Sequence, residues 1–166
     1  MSNPPGSSTA APLAERRDAH ALVERVGAAP AFEKRLKGLE KKRGPVVLDH
    51  VAEHSAPFAV AMIARRLQHA TARRRLWVVC ENVKDQDRVH AELGVWGFPA
   101  LYLARAASQE GVLPDPDLNA ERASVLSRWR EPDEEGLRLL VVSRDSLDDS
   151  APGEAWLETQ KRTLAP

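Results

Sequence analysis

Cysteine is nearly missing from this chain: Cys80 is the only one among 166 residues. A single thiol excludes an internal disulfide and fits a reducing compartment. Aromatic residues are scarce at 5%, so Leu, Val and Ala must fill any core. Neither sign of charge is in excess. Lys and Arg number 24 and Asp and Glu number 24, so no bulk field draws the chain to nucleic acid or a membrane surface. No apolar run reaches the roughly 18 residues of a membrane-spanning helix. Met1–Pro12 is small and polar and lacks the apolar stretch of a signal peptide. These absences point to a cytoplasmic chain.

What is present suits one domain of ordinary size, with 43% apolar residues to build its core. Residues 1–12, rich in Pro, Ser, Gly and Ala, read as a disordered tail. Residues 13–44 read as a helical N-terminal extension. Leu13, Leu22, Val23 and Val26 have helical spacing up to Gly27. Pro30 opens a second helix that aligns Phe32, Leu36 and Leu39. The pattern changes over 45–152. Val46–Leu48 is a short apolar run, a first strand. Ser55 and Pro57 open a helix whose first turns, Phe58 to Ile63, are wholly apolar, the mark of a buried helix. Leu76–Cys80 is a second strand. Its apolar residues are continuous, as in a strand covered on both faces, so Val79→Asp is expected to unfold the domain. Asn82 can cap a helix carrying Val83, Val89 and Leu93. Pro99–Leu103 is a third strand. Leu118, Val125, Leu126 and Trp129 share one helix face before Pro132. Leu137–Val142 is a fourth strand. Residues 153–166, with Trp156 in a last short helix, read as a linker or the start of a next module.

Strands alternating with helices imply an α/β fold with a mostly parallel sheet of about four strands. Helices on both faces make it doubly wound, like a P-loop NTPase or a Rossmann domain. A phosphate loop would lie between the first strand and the buried helix. It needs glycines, a Lys and a Ser or Thr. Asp49–Pro57 contains neither Gly nor Lys, and Pro57 removes an N–H donor. No nucleotide binding, no cofactor and no catalytic residue are expected.

His50-Val51-Ala52-Glu53-His54 matches the inverted zinc-hydrolase pattern H-x-x-E-H, with Glu131 a conceivable third ligand. That chemistry needs His50 and His54 on one helix face and Glu53 as base. The simpler reading is a strand-to-helix turn, because Pro57 disfavours a continuous helix. Asp115, Asp117 and Glu121 read as a turn and helix cap rather than a cation site. Asp87, His90 and Ser124 suggest no triad. Arg73, Arg74 and Arg75 form a basic run between helix and strand that can meet phosphate or a partner, but no aromatic platform is interleaved with it.

From about Val47 to Pro152 the chain resembles the N-terminal domain of the bacterial transcription-repair coupling factor. That domain is itself similar to the first domain of the excinuclease B subunit, with the phosphate loop lost. The resemblance is carried by Val47-Leu48-Asp49-His50 before Phe58–Leu67, and by Leu76–Cys80 with Asp87–Leu93. It continues through Leu113-Pro114-Asp115 before Glu121-Arg122 and Leu126, then Leu139-Val141-Val142, Ser146-Leu147 and Pro152. The loop before Asn119 is shorter than in the family. The resemblance implies a non-catalytic scaffold in transcription-coupled nucleotide excision repair. Its partners would be excinuclease subunits, RNA polymerase or other domains of a larger repair protein. A full-length parent would be an ATP-dependent DNA translocase, with this chain stopping about where the subunit-A-binding module begins. The alternatives are a stand-alone α/β interaction domain or the zinc hydrolase above.

Overall fold

In the computed structural model the described residues are 13–37, 39, 51–68, 74–106, 116–131 and 136–149. The expected strand Val46–Leu48, Asp49, His50, Arg73, Asp115 and the Trp156 helix lie outside them.

The fold is α/β. Two helices come first, α1 (Leu13–Gly27) and α2 (Pro30–Leu36). A single 3-10 turn, Glu53–Ser55, then leads into α3 (Ala56–Gln68). Strands and helices alternate from there: β1 (Arg74–Cys80), α4 (Val83–Val95), β2 (Leu101–Leu103), α5 (Pro116–Arg130), β3 (Leu137–Ser143) and α6 (Arg144–Asp148).

Local chemistry sets several boundaries. Pro30 sits at the start of α2, where its missing N–H costs nothing. Asn82 caps α4, its side chain accepting the Asp85 N–H at 2.9 Å. Gly97 closes α4 at φ 86°, with the Phe98 N–H donating back to the Leu93 carbonyl at 2.9 Å. A Cβ at that glycine would lie 2.8 Å from His20 Nδ1, so α1 adds a steric reason to the conformational one. Ser143 caps α6, a helix the sequence analysis did not foresee.

The three described strands form one parallel sheet in the order β1-β3-β2. Val78 pairs with Val141 and Val79 with Val142, while Leu103 also pairs with Val142. Going from β1 to β2 the chain skips a place, and α4 carries it across one face. Returning from β2 to β3 reverses direction, and α5 lies on the opposite face. Right-handed crossovers require this switch of sides.

On the first face, α3 and α4 pack Ala59, Met62, Val89 and Leu93 onto Cys80, Leu139 and Val141, and Val23 of α1 joins them. Leu36, Leu39, Ile63 and Leu67 extend this core beneath α2. On the second face, α5 packs Val125, Leu126 and Trp129 onto Leu103, Leu140 and Val142. Three sequence expectations are corrected. β1 begins at Arg74, so Arg74 and Arg75 belong to the strand and not to a preceding linker. Leu118 is exposed, and Arg122 takes an inward place on α5 instead. The strand covered on both faces is β3, whose Leu139–Val142 are all buried. β1 alternates between covered and exposed residues, because α5 packs on β2 and β3 and meets β1 only at its carboxyl end, through Trp129.

Candidate functional site

In open α/β sheets, ligands meet the carboxyl ends of the strands where successive crossovers leave for opposite faces. Here that place is the end of β3, between β1, which leads to α4, and β2, which leads to α5. Protein side chains occupy it. Gln86 of α4 is wholly buried, and its Nε2 donates to the carbonyls of Leu103 at 2.8 Å and Val141 at 3.1 Å. Arg122 of α5 is only 4% exposed. Its guanidinium donates to the carbonyls of Ala104, of Ser146 at 3.0 Å and of Asp149 at 3.5 Å. Asp149 in turn accepts the Ala106 N–H at 2.6 Å, and the Ser143 and Ser146 hydroxyls lie 2.7 Å apart. Burial pulls the Arg122 pKa below its ordinary value and Asp149 opposes that shift; arginine nevertheless stays a cation at neutral pH. One arginine thus ties the ends of β2, α5 and α6 together. Gln86 Oε1 and Arg122 Nε are buried with no hydrogen-bond partner.

Cys80 lies at the end of β1. Burial, with Asp85 adding to it and Arg88 opposing, pushes its thiol up to about 11. It is protonated at neutral pH and a poor nucleophile.

The turn before α3 shows how the H-x-x-E-H residues sit. Ala52 is extended, with φ −62° and ψ 142°, and Glu53 and His54 begin a separate 3-10 turn. A single helix carrying the whole motif is therefore not formed. Glu53 instead engages Arg88 of α4, through its carboxylate at 3.8 Å and its carbonyl at 3.4 Å. Among the described residues no three His, Cys, Asp or Glu side chains gather as metal ligands. His90 bonds the Ala100 carbonyl at 3.0 Å, and Asp87 accepts from the Tyr102 hydroxyl at 2.7 Å. Ser124 is exposed on α5. Asp117 lies in the first turn of α5 with Glu121 exposed one turn on, while Asp115 is outside the described residues.

Arg75 of the basic run serves a local purpose. Arg75 donates to the carbonyls of Arg130 at 3.3 Å and Glu131 at 3.4 Å, and Arg138 also donates to Glu131 at 3.4 Å. Both guanidiniums cap the carboxyl end of α5, where unpaired carbonyls favour a cation. Arg75 also lies over the Trp129 ring, 5.4 Å from its centroid. Arg74 continues the β1 ladder, and its N–H donates to the Gly136 carbonyl at 3.4 Å.

Sequence reasoning missed the most unusual surface. Arg75, Trp77 and Val79 point to the face of β1 that α5 leaves open. Trp77 is 45% exposed and Val79 55%. The Trp77 ring meets Trp129 edge-on with centroids 5.3 Å apart, which holds it in place. Parallel sheets ordinarily have both faces covered, and adjacent exposed apolar residues mark contact surfaces. A notch of about 240 Å³ at the amino ends of β2 and β3 is lined by Pro99, Leu101, Arg128 and Arg138. It lies at the opposite end of the sheet from the crossover switch. Compared with known protein families, curated proteins and solved structures, this chain finds no match.

Proposed function

We propose that this chain is a non-catalytic α/β scaffold, related to the N-terminal domain of the transcription-repair coupling factor. It works through protein contacts in transcription-coupled nucleotide excision repair, with excinuclease subunits, RNA polymerase or neighbouring domains as partners. The observation that carries the non-catalytic reading is the filled crevice. Gln86 donates to the carbonyls of Leu103 and Val141, and Arg122 to those of Ala104 and Ser146, at the place where a nucleotide fold seats its ligand. The turn before α3 supports it, since residues 51–57 hold exposed Glu53 and buried Pro57 and neither glycine nor lysine.

The doubly wound, nucleotide-fold-like architecture with a fourth strand belongs to the same proposal. α3 packs on the same face as α4. Were a strand to precede α3, a right-handed crossover through α3 into β1 would pair it on the β1 side of the sheet. On the β2 side, α3 would have to share a face with α5. Two helices on one face followed by one on the other is the winding expected of such a domain.

The exposed Trp77 and Val79 support contact with protein rather than catalysis, and they equally suit the second reading, a stand-alone interaction domain. Pull-down of purified RNA polymerase and excinuclease subunits by this chain separates the two. Retention of either, lost on Trp77→Ala, supports the repair reading; retention of neither leaves the stand-alone domain. Stoichiometric ATP binding or ATP turnover by the purified chain would overturn the non-catalytic reading.

A further inference from the structure

We propose that the notch at the amino ends of β2 and β3 binds a small free carboxylate with an apolar body. The inference does not depend on the repair reading. The notch comes from a step in the sheet. β3 begins at Leu137, but β2 first pairs with it at Leu101, opposite Leu140. Pro99 precedes β2 and has no N–H with which to extend the ladder. The gap left beside Leu137–Leu139 holds about 240 Å³. At about 30 Å³ for each water-sized group, that is room for about eight of them, so the occupant is smaller than most pocket ligands.

The lining sets the chemistry. Among the described residues its ionisable side chains are Arg128 of α5 and Arg138 of β3, both cations, and no Asp or Glu lines it. The rest of the wall is apolar, with Pro99, Leu101, Leu137 and Leu139 in it. The negative carboxyl end of α5 is already answered, since Arg75 donates to the carbonyls of Arg130 and Glu131. Arg138 gives the Glu131 carbonyl one N–H of the five that a guanidinium carries. Arg128 is exposed on α5. Guanidinium and carboxylate match as planar partners. A phosphate dianion has no apolar part to place against the leucines and would lose hydration there.

Titration of the full chain with benzoate, followed by leucine-methyl NMR, tests the site. The methyl signals of Leu101, Leu137 and Leu139 should shift and saturate, with a Kd of about 1 mM for so small a ligand. Neutral benzamide, which keeps the ring and lacks the charge, and inorganic phosphate should each bind about tenfold or more weakly. Arg128→Gln should weaken benzoate about tenfold, the loss of one charge-assisted hydrogen bond, and leave the rest of the spectrum in place. Absence of a saturable shift at these leucines would overturn the proposal. So would equal binding of benzamide, tighter binding of phosphate, or an Arg128→Gln variant that binds benzoate like the parent. Binding of N-acetyl-Gly-Gly-Phe tenfold tighter than benzoate would also overturn it, by making the end of a protein chain the occupant.

Discussion

Replacing Arg122 by Met tests whether that arginine is a structural tie or a ligand-binding group. The aliphatic stem is kept and the guanidinium is lost. Three carbonyls, those of Ala104, Ser146 and Asp149, lose their donor. A buried acceptor left unpaired costs about 1–3 kcal/mol. Against that, the variant is relieved of holding a charge in a site only 4% exposed, a relief of several kcal/mol at most. Asp149 is only partly buried and regains water. The net expectation is a loss of about 3 kcal/mol. That is a large part of the 5–15 kcal/mol that holds a domain of this size, and it lowers Tm by about 6–12 °C. Urea unfolding followed by far-UV circular dichroism measures it, and Arg122→Lys should recover part of the loss. A functional arginine held at a cost to the fold behaves in the opposite way. If Arg122→Met is as stable as the parent or more stable, the tie is refuted and the crevice regains its claim to a ligand.

The remaining predictions concern other parts of the molecule. Val79→Asp, expected from the sequence to unfold the domain, should cost only about 1 kcal/mol because Val79 is 55% exposed. Its paired neighbour Val142, with no exposure, should not tolerate Asp at all; soluble yield and thermal melts compare them. Asn82→Ala removes the α4 cap and should cost about 1 kcal/mol in urea unfolding. The Cys80 thiol is raised from 9.0 to about 11 in the folded chain. Its contribution to stability is therefore full below pH 9 and is lost as pH rises from 9 to about 11. Cys80→Ala should flatten that part of the stability profile. His54→Ala should leave Tm unchanged, and so should chelation, since His54 is exposed on its turn.

The sequence by itself determined where most of the described elements lie, α6 excepted. Helix caps, proline positions and apolar spacing are local, and local chemistry sets Pro30, Asn82 and the α3 core residues wherever the chain goes. Strand identity was legible for the same reason, because Leu76–Cys80 and Leu137–Val142 are too short and apolar for surface helices. Only the tertiary structure decided which strand is enclosed. β1 and β3 carry almost the same run of Leu and Val. Their different burial comes from where α5 lands, and that follows from the reversal of direction between β2 and β3. Arg122 was read as part of a family resemblance and Arg75 as a group to meet phosphate or a partner. Each proves to be a donor to carbonyls more than 15 residues away in the chain. Such roles have no signature in a linear pattern, because the acceptors are backbone groups that every residue carries.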